Sequence, residues 1–222
     1  MLFRSPNPLI VLLMSLSAIA FLGLAAWGWG GWNALMENQA RAAGCAIVVV
    51  ATIASCFTEI NVGGFQRAGP KVKWIIAPII LFTFVFAGLP AYDDRRDLLT
   101  LDGDTMRYLG VVLLMVGCVL RVGPMFVLGR RFTYPLASQE KHRLETTGFY
   151  RYIRHPSYLG AFLGGLGWVL VFRSGMGVIL ISLVLSAIFW VIPAEERRLQ
   201  EDFGEEYVAY AKRTWRLLPF LY

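Results

Sequence analysis

Residues 148–160, GFYRYIRHPSYLG, gather Tyr150, Tyr152, Tyr158, Arg151, Arg154, His155 and Pro156 between two apolar stretches. Arg154 and His155 suit a carboxylate or phosphate, and the tyrosines suit a planar ring or a cation. Pro156 fits the first position of a helix, where its missing N–H costs nothing. A helix starting there offers free N–H groups and a partial positive charge to an anion. His155 precedes the proline and is pushed toward extended backbone, and Gly148 permits a turn. The competing explanation is an interfacial belt, in which Tyr and Arg anchor a helix end at lipid headgroups.

A second constellation is PAEERRLQEDFGEEYVAYAKRTWRLLP, residues 193–219. Helical spacing places Glu196, Leu199, Phe203, Tyr207 and Tyr210 on one stripe of an amphipathic helix. Glu195 points elsewhere by about 100°, and Arg197, Arg198, Glu201 and Asp202 form a solvated face. The carboxylate on an otherwise apolar stripe calls for a partner. Two further charges, Glu59 and Arg121, fall inside apolar runs, where an ionisable group marks either a functional site or a structural ion pair. Cys45, Cys56 and Cys118 lie in apolar runs without a CxxC pair, and His142 and His155 are far apart, so no metal site is expected.

These residues need a membrane scaffold. The 222-residue chain is 57% hydrophobic and 16% charged, beyond the roughly 45–50% apolar of soluble domains. A net charge of +6 fits basic loops facing anionic lipid or an anionic cofactor better than nucleic acid. Six apolar segments read as spans: Pro8–Trp32, Ala42–Gly63, Trp74–Tyr92, Arg107–Gly129, Ser157–Phe172 and Gly177–Pro193. The last two form a short helical hairpin or one broken helix. The first carries a signal-like Ala18-Ile19-Ala20 but is read as a span. With the N-terminus inside, 15 basic residues fall inside and five outside, as the positive-inside rule requires. Both termini are then cytoplasmic. The expected fold is an all-α polytopic bundle, one domain over 1–222, with a four-span region (1–128) and a cofactor-binding region (129–222). Gly160, Gly164 and Gly167 suit close helix packing.

Taken together, TTGFYRYIRHPSYLG and EERRLQEDFGEEYVAYAKRTWRLLP resemble the isoprenylcysteine carboxyl methyltransferase family and its phospholipid methyltransferase relatives, over roughly residues 128–221. The resemblance implies S-adenosylmethionine as cofactor at the cytoplasmic face, covered by the C-terminal segment. It implies a lipidic or prenylated acceptor arriving from the bilayer. By that resemblance Gly148, Tyr150, Arg154, His155, Tyr158, Glu195 and Glu196 would bind the cofactor, with Glu196 and Arg216 serving catalysis. Glu59, Arg121 and Trp190 are candidate acceptor contacts. The chain departs from the eukaryotic pattern at Arg173-Ser174-Gly175, in place of an Asn-Pro, and at Trp190–Pro193, where an Arg is usual. Two other classes compete. One is an NADPH-dependent membrane reductase of the sterol-reductase type, and the other is a membrane scaffold without cofactor.

Overall fold

A computed structural model of the chain describes residues 8–58, 70–128 and 144–219. Helix α1 spans Pro8–Trp29, and a short α2, Trp32–Met36, follows a Gly30-Gly31 turn. Helix α3, Gln39–Cys56, begins where the Asn38 side chain accepts hydrogen bonds from the N–H groups of Ala40 and Arg41, an ordinary polar cap. Helices α4, Pro70–Arg96, and α5, Asp104–Leu128, come next. A 3₁₀ turn at Gly148–Arg151 leads into α6, Pro156–Val171. Helix α7 runs Gly175–Phe203 and α8 runs Glu205–Ala211.

Among the described residues each expected apolar segment thus contains a helix, the first ending at a break at Gly30-Gly31. Among the described residues, four helices are long and apolar enough to cross a membrane: α1, α3, α5 and α7. Helix α6 is apolar but has 16 residues. Leu12, Leu16 and Ile19 of α1 and Ile179 and Leu183 of α7 are all more than half exposed. Such an outward apolar band belongs against lipid rather than water.

Two expectations need correction. The last apolar segment is not a short hairpin arm: α7 has 29 residues and carries Pro193 within it, so it reaches past the apolar run and presents Glu195 and Glu196 beyond it. The C-terminal stripe is not one continuous helix either. Gly204 adopts φ 54°, which favours glycine, and breaks the chain between α7 and α8. Tyr207 and Tyr210 therefore sit on a separate short helix and turn inward, both buried.

Helices α5 and α6 pack most closely because glycines face one another. A Cβ on Gly110 would lie 2.5 Å from the Val171 amide nitrogen, and one on Gly117 would overlap the Gly164 backbone outright. The small-residue stripe read from the sequence is thus a backbone-to-backbone interface. Gly117→Ala is expected to force the pair apart and lower stability by about 1–3 kcal/mol. Thermal melting in detergent checks this.

At the end of the bundle away from residues 148–160, a buried ionic cluster ties the helices together. Asp94 of α4 accepts from Arg107 of α5 at 2.6 and 3.0 Å, and from Arg173 of the α6–α7 turn at 2.9 and 3.1 Å. Arg41 of α3 lies 3.8 Å away and stacks on Trp29. The neighbouring Asp93 accepts from the Ser174 hydroxyl at 2.6 Å. The segments predicted to share one membrane face thus meet at one end.

Candidate functional site

The local sequence builds the site's floor. Gly148 takes φ 57° and opens the 3₁₀ turn. Tyr152, Arg154 and His155 then leave helical geometry ahead of Pro156. Their backbone runs beside residues 215–216: Trp215 N–H donates to Tyr152 at 2.9 Å, Arg154 N–H to Trp215 at 2.7 Å and His155 N–H to Arg216 at 3.0 Å. This pairing clamps the C-terminal segment across the start of α6.

Glu196 stands at the centre. Its Oε1 accepts from Arg154 Nε at 2.7 Å and its Oε2 from Arg216 Nε at 2.9 Å. Burial alone would raise its pKa, but the neighbouring His155 and Arg154 outweigh burial and hold the carboxyl at about 2. The partner that the apolar stripe demanded is therefore Arg154. Arg154 Nη1 also donates to the carbonyls of Ala211 and Thr214. Two of its three nitrogens are thus committed to this protein's own acceptors, and the residue braces the site as well as lining it.

His155 is 6% exposed. Its Nε2 lies 3.5 Å from Glu196 Oε1, too long for a good hydrogen bond, and has no other partner among the described residues. Nδ1 is 3.8 Å from Glu195 Oε2. Glu195 accepts from the Tyr158 hydroxyl at 2.8 Å, so the two adjacent glutamates serve different neighbours. Tyr150 is half-buried, and burial holds its hydroxyl well above the ordinary range. Tyr152 is exposed beside Arg151.

Several site residues were missed in the sequence. The Tyr207 hydroxyl is buried without a partner among the described residues, and burial followed by the Glu196 charge keeps it protonated. Tyr210, pushed up to about 12 mainly by burial, donates to the Tyr150 carbonyl at 2.7 Å. Thr214 accepts from Arg154. The Tyr207–Tyr210 spacing, three residues apart in a polar helix, was the available signal, since it repeats the turn of a buried face.

The candidate acceptor contacts separate. Glu59 lies outside the described residues. Trp190 is 86% exposed on the outer side of α7 and does not reach the site; the helix phase that buries Ile188 and Ile192 turns it outward. Arg121 does approach: its Nη1 donates to the Ser157 hydroxyl at 2.7 Å and, at 3.4 Å, to the Ser157 carbonyl. It also borders an apolar cavity of about 400 Å³ between α1, α3, α4, α5 and α6. The cavity and the polar cluster therefore meet at the first turn of α6.

The acid response of the cluster is predictable in sign. The Glu196 carboxyl titrates lower in the folded protein than in the unfolded chain. Its contribution is complete above the ordinary carboxylate range and is lost as pH falls through about 2. Melting temperature measured from pH 6 to pH 2 is expected to fall more steeply in the parent than in Glu196→Gln.

Residues 105–206 match the family described as phospholipid methyltransferase. That match takes in α6, both glutamates and the start of α8, and it bears out the resemblance read from the sequence motifs. More particular relatives carry the name protein-S-isoprenylcysteine O-methyltransferase. A probable one from Oryza sativa subsp. indica is 34% identical over 51% of this chain and 61% of its own length. Form B from Arabidopsis thaliana is 33% identical over 50% of this chain and 58% of its own length. The Schizosaccharomyces pombe enzyme is 36% identical over 49% of this chain and 47% of its own length. The chain thus spans about half to three-fifths of these relatives. A solved structure of the eukaryotic intramembrane Ras methyltransferase ICMT (isoprenylcysteine carboxyl methyltransferase) aligns with 97% of this chain and 87% of that one, at TM-score 0.48 and 16% identity.

Proposed function

We propose that this protein is a membrane-embedded methyltransferase that uses S-adenosylmethionine and methylates a lipidic acceptor, with an isoprenylcysteine-type carboxylate as the favoured class. The carrying observation is the set of unspent buried donors around Glu196. The Tyr207 hydroxyl has no hydrogen-bond partner among the described residues, and His155 Nε2 has only the long 3.5 Å contact with Glu196; leaving such groups poorly matched costs roughly 1–3 kcal/mol each. A polar ligand at the start of α6 would relieve both. The names of the curated relatives and the family match support the same reading.

The residue chemistry fits the methyl donor. When bound, S-adenosylmethionine would supply an electrophilic methyl group on a sulfonium. His155 and the Ser157 N–H would receive its carboxylate, since Pro156 has no N–H and those of Tyr158 and Leu159 donate to the His155 carbonyl, and Tyr150 and Tyr158 offer faces for its adenine. Glu196 would supply a fixed negative charge suited to a sulfonium or an amino group. Arg154 and Arg216 hold that carboxylate in place, so it need not reorganise during reaction. A carboxylate acceptor needs no general base, which suits a site whose Glu196 is locked between two arginines. Arg121, at the mouth of the apolar cavity, is placed to orient an anionic head. The clamp of residues 214–216 over residues 152–155 shields Glu196 and His155 from water, and alignment with water exclusion supplies much of the rate in such a displacement.

Both termini are proposed to face the cytoplasm, which would put the cluster there. Calorimetric titration of the detergent-purified protein with S-adenosylmethionine, S-adenosylhomocysteine and NADPH tests the reading. Micromolar binding of both sulfur ligands, lost in His155→Ala, is the expected result. Binding of NADPH alone would replace the methyltransferase with a reductase. No binding of any of the three would favour a scaffold.

A further inference from the structure

The apolar cavity has a direction. Helices α5 and α6 run antiparallel, with Gly117 against Gly164 and Gly110 against Val171. One end of the cavity is therefore bordered by Arg121, Val122 and Gly160, and the other by Leu114, Phe21 and Trp168. Met14 of α1, beside Cys56, marks the Arg121 end on the opposite wall. At the far end the Phe21 and Trp168 rings meet at 4.9 Å between centroids, and Trp168 is 2% exposed. On α6 the lining extends from Gly160 to Trp168, eight residue steps, or about 12 Å of helix.

Apart from Ser17 of α1, the side chains along its length are apolar or spent. The Thr52 and Ser55 hydroxyls donate to the carbonyls of Val48 and Ala51. Arg121 is the cation on the wall, and among the described residues it bonds only to Ser157. A cation at one end, an aromatic pair at the other and an apolar cleft between them, open along part of its side, describe a receptacle for a single-tailed anion. The cleft is shorter than one leaflet's hydrocarbon depth of about 15 Å, so a full-length acyl chain is longer than it.

The geometry points to a length gauge: Arg121 seats the anionic head of a single-chain amphiphile, and the Phe21–Trp168 pair sets the longest tail that enters. Phe21 and Trp168 are then specificity-determining residues. Equating this amphiphile with the methyl acceptor rests on the methyltransferase reading; the gauge does not.

The test is binding, free of turnover. Purified protein is titrated with n-alkyl carboxylates of increasing length and with the matching n-alkanols, read by calorimetry and thermal shift. Affinity is expected to rise with tail length and then drop at least tenfold once the tail exceeds the bore. Phe21→Ala should move the drop to longer tails, and Ala18→Leu, which adds bulk from α1, should move it to shorter ones. Arg121→Gln should bring carboxylates down to the alkanol level without moving the drop. Affinity that climbs with length through the whole series would overturn the gauge. So would an unmoved drop in both Phe21→Ala and Ala18→Leu, or equal protection by a diacyl phospholipid. The parent series stands even if one variant fails to fold. S-adenosylmethionine binding is scored separately, so a gauge that holds without it supports this inference while the methyltransferase reading falls.

Discussion

Glu196→Ala is expected to lower the proposed methyl transfer by a factor on the order of 10² or more. The carboxylate is held from both sides, by Arg154 at 2.7 Å and Arg216 at 2.9 Å. Its removal strips the local negative charge and frees two guanidinium groups that position the C-terminal segment. Arg154 would keep its bonds to the Ala211 and Thr214 carbonyls, so the chain should still fold, although less stably. Radiolabelled methyl transfer from S-adenosylmethionine to a prenylcysteine analogue reads the effect, with size-exclusion elution confirming the folded state. Arg216→Ala should be milder, because that side chain is more exposed than Arg154. Activity of Glu196→Ala within about threefold of the parent would remove Glu196 from the proposed machinery.

The second large effect lies at the other end of the molecule. Asp94→Ala should destabilise the fold by about 3–5 kcal/mol, the usual result of breaking a buried ion pair from one side. Asp94 is 4% exposed and holds Arg107 and Arg173 directly, with Arg41 close by. Without it, Arg107 and Arg41, each 6% exposed, lose their shared counter-charge. That loss is a large share of the roughly 5–15 kcal/mol that keeps a typical domain folded, so poor recovery of monodisperse protein is the expected readout. Pairing Asp94→Ala with Arg107→Leu should restore part of the stability, and the coupling between the two substitutions isolates the pair. A melting temperature unchanged by Asp94→Ala would show that the cluster carries no net stability.

Local chemistry explains why so much of the scaffold was legible. An apolar run of about 20 residues has few alternatives to a helix, because backbone polar groups must be satisfied within the segment. Pro156 marks the start of α6 for a steric reason that needs no knowledge of the fold. The glycine stripe likewise announced a close helix contact, and Gly117 against Gly164 is that contact. Periodicity failed at Gly204. A stripe drawn from Glu196 to Tyr210 assumes an unbroken helix, and a left-handed residue in its middle re-aims everything after it.

Sequence alone determined that this is an apolar helical chain with a polar, aromatic and cationic cluster at the start of α6 and a double glutamate downstream. Those features follow from residue type and from spacing within one turn. Only the tertiary structure decided which charges meet. Arg154 and Glu196 lie 42 positions apart, Asp94 and Arg173 lie 79 apart, and helical spacing carries no information over such distances. It also decided that Trp190 faces outward while Arg121 reaches the mouth of an apolar bore. Side-chain direction on a helix is fixed by its phase against its neighbours, and that phase is set by packing.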